Sequence, residues 1–190
     1  MQGWTDILTT APLQEPVCVA EVKHLIRIDH NDDDMMIAAL ITTARQWVEE
    51  YCYRALFTQT RTLKRDYFPS CDVINVARAP LASVTSIVYT DGNGNSQTLP
   101  TANYQVDTSS TPPRIGLNDG YSWPTTQTNK FNAVVITYVA GWTTVEAIPV
   151  AIKEAIKRIT KALWEGCAVE NAADGGSLAL LANYRLTWPC

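Results

Sequence analysis

The sequence predicts an α+β protein, a mainly helical body with a small β-rich middle region and extended termini. Two long stretches carry the helical part. One follows the acidic run Asp32, Asp33, Asp34 and the other follows Pro149, and both repeat apolar residues every three or four positions. Between them the period changes to two, in short β-branched runs separated by Gly, Asn and Pro. With 190 residues, 46% hydrophobic and 18% charged, the chain has enough apolar material for one domain with an attached arm, and its composition argues against disorder or a coiled-coil rod.

The elements follow in order. Residues 1–16 are rich in Thr and Pro without sustained periodicity, which predicts an N-terminal arm, mobile or laid across a neighbour, with Trp4, Ile7 and Leu8 as anchors. The domain proper is expected at 17–170, with its β-rich segment at 57–139, and a C-terminal docking tail at 171–190. A short helix fits Val19 to Ile26, with Val22, Leu25 and Ile26 on one face. The carboxylates of Asp32, Asp33 and Asp34 then suit a helix start, where they accept orphan N–H groups and oppose the dipole. Ile37, Leu40, Ile41, Ala44, Trp47, Val48 and Tyr51 continue that helix to about Tyr53.

Thr58 to Leu63 alternates, and Val73 to Val76 supplies a second strand. Ser83 to Thr90 and Ser96 to Leu99 flank Asp91-Gly92-Asn93-Gly94-Asn95, a hairpin signal because Gly and Asn tolerate positive φ. Tyr104 to Asp107 and Arg114-Ile115 lie on either side of Pro112-Pro113. Gly116 to Asn132 reads as a long loop tied down by aromatics, Trp123 among them. Ala133 to Val139 is apolar or β-branched on both faces and belongs inside a sheet. After Pro149, the residues Ile152, Ala155, Ile156, Ile159, Leu163 and Trp164 mark the second long helix, with Lys153, Lys157, Arg158 and Lys161 on its polar side. Beyond the break at 171–176, Leu178, Leu180, Leu181, Tyr184, Leu186 and Trp188 form an apolar tail that must dock on its own domain or on another molecule.

Charge and motif content narrow the function. The net charge is −4, and residues 1–35 hold seven acids against two bases, a surface that repels phosphate. Cys18, Cys52, Cys71, Cys167 and Cys190 are scattered without a CxxC pair, and His24 and His30 are the two histidines, so no zinc site is expected. Cys52 is expected to be buried, and Cys190 an exposed terminal thiol. Asp29, Asn31 and Asp33 alternate like the opening of a calcium loop, but Met35 stands where an oxygen ligand is needed. GxSxG and HExxH motifs are absent and the glycines of 91–95 lack a phosphate-loop lysine, so no enzyme and no cofactor are expected. No apolar run approaches the roughly 20 residues of a membrane span, and the first residues lack a basic-then-apolar export signal. A soluble protein used without export or membrane contact is the expectation.

The order of motifs is informative as a set. Val17-Cys18-Val19-Ala20-Glu21-Val22-Lys23-His24-Leu25-Ile26-Arg27-Ile28-Asp29, the acidic run, and Trp47-Val48-Glu49 resemble the start of tailed-phage head-tail connector (adaptor) proteins of the long-tailed type. The likeness continues through Thr58-Gln59-Thr60, Pro80-Leu81-Ala82-Ser83-Val84, Tyr104-Gln105-Val106-Asp107, Tyr138-Val139-Ala140-Gly141-Trp142, Ala151-Ile152-Lys153 and Leu180-Leu181 with Tyr184-Arg185. Gene transfer agent adaptors are similar. The resemblance implies a structural subunit of a ring of about a dozen copies below the portal, at the virion neck, assembled in the host cytoplasm. Its expected partners are the portal protein, a further connector or tail-completion protein, and packaged DNA that passes without being read.

On that reading Asp32, Asp33, Asp34, Lys153, Lys157, Arg158, Lys161, Leu180, Leu181, Tyr184 and Trp188 are interface candidates. Asp91, Asn93, Asn95 and Trp123 are loop contacts. The alternative is a non-enzymatic packaging adaptor that grips duplex DNA through Lys153, Lys157, Arg158 and Lys161.

Overall fold

A computed structural model describes residues 3–186 of the chain, which divide into two units. The sheet unit combines residues 3–12 with 58–141, and the helical unit combines 13–57 with 142–186. The chain therefore passes between units after residues 12, 57 and 141.

In the helical unit, α1 (Val19–Ile26) opens on Cys18, whose backbone N–H donates to the Glu21 carboxylate at 3.0 Å. That bond, first among several causes, holds the Glu21 carboxyl below its usual range. The helix closes on Arg27, at φ 61°, a left-handed cap made without glycine. α2 (Asp34–Cys52) and α3 (Val150–Trp164) are the two long amphipathic helices, and both periodicities are realised. Ile37, Ile41, Ala44, Val48 and Cys52 from α2 meet Ile152, Ala155, Ile156 and Ile159 from α3 in one apolar core. Each such Ile or Val, fully buried, contributes roughly 1.5–3 kcal/mol. α4 (Val169–Ala172) and α5 (Gly175–Leu181) complete the unit, and a 3-10 turn at Ala182–Tyr184 follows.

The sheet unit contains two antiparallel sheets. One has the order β1-β2-β8-β4-β5, with β1 (Trp4–Thr10), β2 (Gln59–Arg65), β4 (Leu81–Thr90), β5 (Ser96–Thr98) and β8 (Val134–Ala140). The other is β3-β7-β6, with β3 (Val73–Asn75), β6 (Tyr104–Asp107) and β7 (Arg114–Leu117). β8 lies in the middle of the larger sheet, as its apolar sequence requires, and buries Val134, Ile136, Tyr138 and Ala140 on one face. Residue alternation along β2 is strict, with Gln59, Arg61, Leu63 and Arg65 buried.

Three expectations change. The α+β class holds, but strand and helix are comparable in extent and the β part is a unit of its own rather than a small insert in a helical body. The segment assigned to a 1–16 arm contains β1, paired with β2 from Trp4↔Arg65 to Thr10↔Thr60. Trp4, Ile7 and Leu8 do not alternate because β1 is an edge strand, half exposed on both faces, with a register shift between Leu8 and Thr10. Leu25 is 41% exposed, so the apolar face of α1 is narrower than its sequence implied. Trp188 and Cys190 lie outside the described residues.

Candidate interaction surfaces

The acidic run caps less than its composition implies. Asp33 is the N-cap of α2, yet its side chain makes no capping hydrogen bond. Asp34 instead accepts from Lys23 at 2.8 Å, and the same ammonium donates to Asn31 Oδ1 at 2.7 Å, which ties α1 to the start of α2. Asp32 is exposed, and its carboxylate stands 3.8 Å from His30 Nδ1, as does that of Asp33. Met35 and Met36 follow at 89% and 54% exposure, apolar side chains off the buried face of the helix. Among the described residues no group of three or more His, Cys, Asp or Glu is placed to hold a metal.

The basic side of α3 is occupied locally. Lys153 Nζ donates to the Val145 carbonyl at 3.2 Å, Lys157 pairs with Glu154, and Lys161 lies 3.7 Å from Glu165. Arg158 is exposed and runs beside Gly176, where an added Cβ would come within 3.0 Å of its Nη1. It also helps to hold the Asp174 carboxyl below its usual range, after the larger effect of the Ser177 N–H. The four cations thus face carboxylates and carbonyls of their own unit, a poor arrangement for gripping a phosphate backbone.

The hairpin tip is built as expected. Asp91 Oδ1 accepts from the backbone N–H groups of Asn93 and Asn95, both at 2.9 Å, and Oδ2 accepts from Gln97 Nε2 at 3.1 Å. Those bonds, led by the Asn95 N–H, lower the Asp91 pKa, while Gly94 takes φ 87°. Asn93 and Asn95 remain exposed on a tip fixed from within. Trp123 is committed to the fold: it stacks on Phe68 with centroids 5.0 Å apart and donates its Nε1–H to the Cys71 carbonyl at 2.9 Å. The same loop leaves Phe131 81% exposed beside an open cavity of ≈ 430 Å³ lined by Asp66, Tyr67 and residues 126–131.

The C-terminal segment docks on its own unit. Leu181 is fully buried in the helical core, with Leu180 and Tyr184 packed against its margin. Arg54 Nε donates to the Tyr184 carbonyl at 2.6 Å, the Leu186 N–H donates to the Cys52 carbonyl at 3.0 Å, and Arg185 lies over the Tyr51 ring at 5.2 Å. Leu181 is therefore spent on folding, because a short apolar segment buries more surface against the groove beside α3 than in water.

Two buried charge clusters escaped sequence reading. Asp6, 4% exposed, accepts from Arg61 Nε at 2.7 Å, Arg78 Nε at 3.2 Å and Tyr138 Oη at 2.7 Å. Burial, then the neighbouring Asp6 charge, pushes the Tyr138 hydroxyl far above its ordinary pKa, so it stays a donor. In the helical unit Arg45 bridges Glu15 and Glu49 at 2.7 Å each, and Glu49 also accepts the Leu56 N–H at 2.8 Å. The partners of Asp6 lie 55, 72 and 132 residues away along the chain, so no local pattern announces them.

The model of the phage gp6-like head-tail connector proteins matches residues 17–111, half of the chain. The protein belongs to that family. Its role as a head-tail connector is structural rather than catalytic, and its place is the head-tail junction. The connector fold extends over the whole chain in solved structures. A chain from the neck of an empty gene transfer agent particle, computed with C6 symmetry, is similar with TM-score 0.80 and 21% identity over 98% of this chain and 97% of that one. A chain from the virion of a native particle gives 0.80 and 22% over the same shares. A third, from a native neck computed with C12 symmetry, gives 0.75 and 21% over 97% of each chain. At such identities the likeness establishes a common fold for the connector. No curated protein matches it.

Proposed function

We propose that copies of this connector assemble as a ring of about twelve beneath the portal, extend the DNA channel, and present a docking surface to the next connector or tail-completion component. One observation carries this most: both units, not the family-matched half alone, share their fold with chains of gene transfer agent necks, one of them of twelvefold symmetry. DNA passes without being read or gripped. In support, the net charge is −4 and the cations of α3 are engaged by neighbours within their unit.

The ring body is assigned to α2 and α3, with the exposed Asp32 and the adjoining Met35 at a subunit boundary. The tip at Asp91, Asn93 and Asn95 and the loop bearing Phe131 are assigned to axial contacts. The exposed parts of Leu180 and Tyr184, together with residue 188, are assigned to the portal side. Cryo-electron microscopy of assembled particles tests all of this directly. A closed ring of this chain next to the portal is the expected result, and a neck lacking it would sink the proposal. Tight, salt-sensitive duplex binding by the isolated protein would instead favour a packaging adaptor.

A further inference from the structure

Among the described residues the larger sheet ends in two open edges of similar length. β1, seven residues long, pairs with β2 and, among the described residues, with no other strand. At the opposite end β5 covers β4 from Val88 to Thr90, and the Leu99 N–H reaches the Ile87 carbonyl at 2.8 Å. The stretch of β4 from Leu81 to Ser86 has no sheet neighbour on that side among the described residues.

Neither edge strand carries a lysine or a proline, two of the devices that normally prevent strands from pairing between molecules. β1 reads WTDILTT, and its single charge, Asp6, is neutralised within the Arg61–Arg78–Tyr138 network. β4 reads LASVTSIVYT and holds neither a charge nor a proline. Their side chains also differ in size. Ile7 and Leu8 are 42% and 37% exposed on β1, whereas Ala82, Ser83 and Thr85 are the exposed residues on the open part of β4.

Strand direction selects the pairing. Three antiparallel steps, β1 to β2, β2 to β8 and β8 to β4, make β1 run opposite to β4. A second copy placed head to tail, its β1 against the open edge of β4, therefore forms an antiparallel ladder like every other pair in the sheet. Such a contact is heterologous, joining two different patches, which is the kind that closes into a ring when the rotation permits. Register shifts at Ala82 and Thr85 in β4, and beside Thr9 in β1, twist the edges and keep dilute copies from zipping together.

We infer that in the assembled neck the β1 strand of each copy adds to the free β4 edge of the next, joining the sheets into a continuous belt. This inference rests on the ring proposed above. Its test uses particles assembled in cells from a chain in which Cys18, Cys71, Cys167 and Cys190 are Ser and buried Cys52 is kept. Into that background go Ile7→Cys together with Ser83→Cys or Thr85→Cys, and Thr5→Cys with the same partners.

Mild oxidation is expected to give, for at least one pairing, a reductant-sensitive ladder of this chain at least tenfold stronger than from either single cysteine. Necks that hold rings by electron microscopy but give no ladder from any pairing overturn the inference and leave the ring standing. Cross-linking of the β4 cysteine to a different protein overturns it in favour of a foreign strand. Necks without rings of this chain overturn the ring, and the strand pairing with it.

Discussion

In the helical unit Ile37, Ile41, Val48, Ile152 and Ile156 close on one another with almost no polar atom among them, and Arg45 and Glu49 form a separate buried ion pair. In the sheet unit, Arg61 and Asp6 occupy the same buried face as Leu63, Ile136 and Tyr138, and Arg78 completes the charge cluster. The difference teaches what each unit depends on. The first is held by apolar area, which tolerates exchange of one aliphatic residue for another of similar volume. The second depends on a particular set of donors and acceptors, in which loss of one member removes a bond from each of the buried groups that shared it.

Substitutions separate the two dependences, beginning with the largest effect. Ile156→Asp puts an unpaired carboxylate into the apolar core and is expected to cost more than about 4 kcal/mol, read as loss of the cooperative melt. A melting temperature unchanged by that variant would show the α3 face to be misassigned. Asp6→Ala leaves two buried guanidinium groups without their shared carboxylate and should cost about 3–5 kcal/mol in denaturant titration. The triple variant Asp6→Leu, Arg61→Met, Arg78→Met removes the charges together and should recover most of that loss. Failure to recover would mean that the network contributes net stability beyond charge compensation.

A smaller effect depends on pH. Burial pushes the Cys52 thiol from 9.0 to about 11. Below pH 9 both folded and unfolded chains carry the neutral thiol, so its contribution is fully present. It is lost as pH rises from 9 through 11, because the unfolded thiol ionises first. Unfolding measured across that window should show a slope that Cys52→Ala abolishes, and at pH 8 native Cys52 should resist alkylation while exposed Cys18, Cys71 and Cys167 react. The smallest expected change is a gain. Arg27→Gly relieves a left-handed cap held by a residue with a Cβ and should add about 0.5–1 kcal/mol to the melt of the intact chain.

What the sequence discloses tracks these same dependences. α1, α2, α3, the β4–β5 hairpin and the central place of β8 were legible because each is encoded by neighbours three, four or two positions apart. β1 was not, since an edge strand with one register shift and two half-exposed faces leaves no alternation to find. Nothing local in the sequence marks Asp6, Arg61 and Arg78 as buried partners, and only the fold gathers them. Acids at a helix start suit capping by composition, but Asp34 is turned toward Lys23 and the Asp33 side chain makes no cap. Leu180 and Leu181 look alike in the apolar tail, and the structure separates them into a residue at the margin and one inside the core.

The seat of Asp6 also bears on the order in which the molecule can be completed. A growing chain releases Asp6 long before Tyr138, and both long helices of the other unit must wait in the same way, because α2 and α3 bracket most of the sheet unit. Until residue 138 has been made, the first strand lacks the full set of donors for its one buried carboxylate, and its uncovered backbone is open to strands of other nascent chains. Synthesis from the amino end therefore favours late closure of both units, and copies become competent to join one another only once β8 and α3 have both been made.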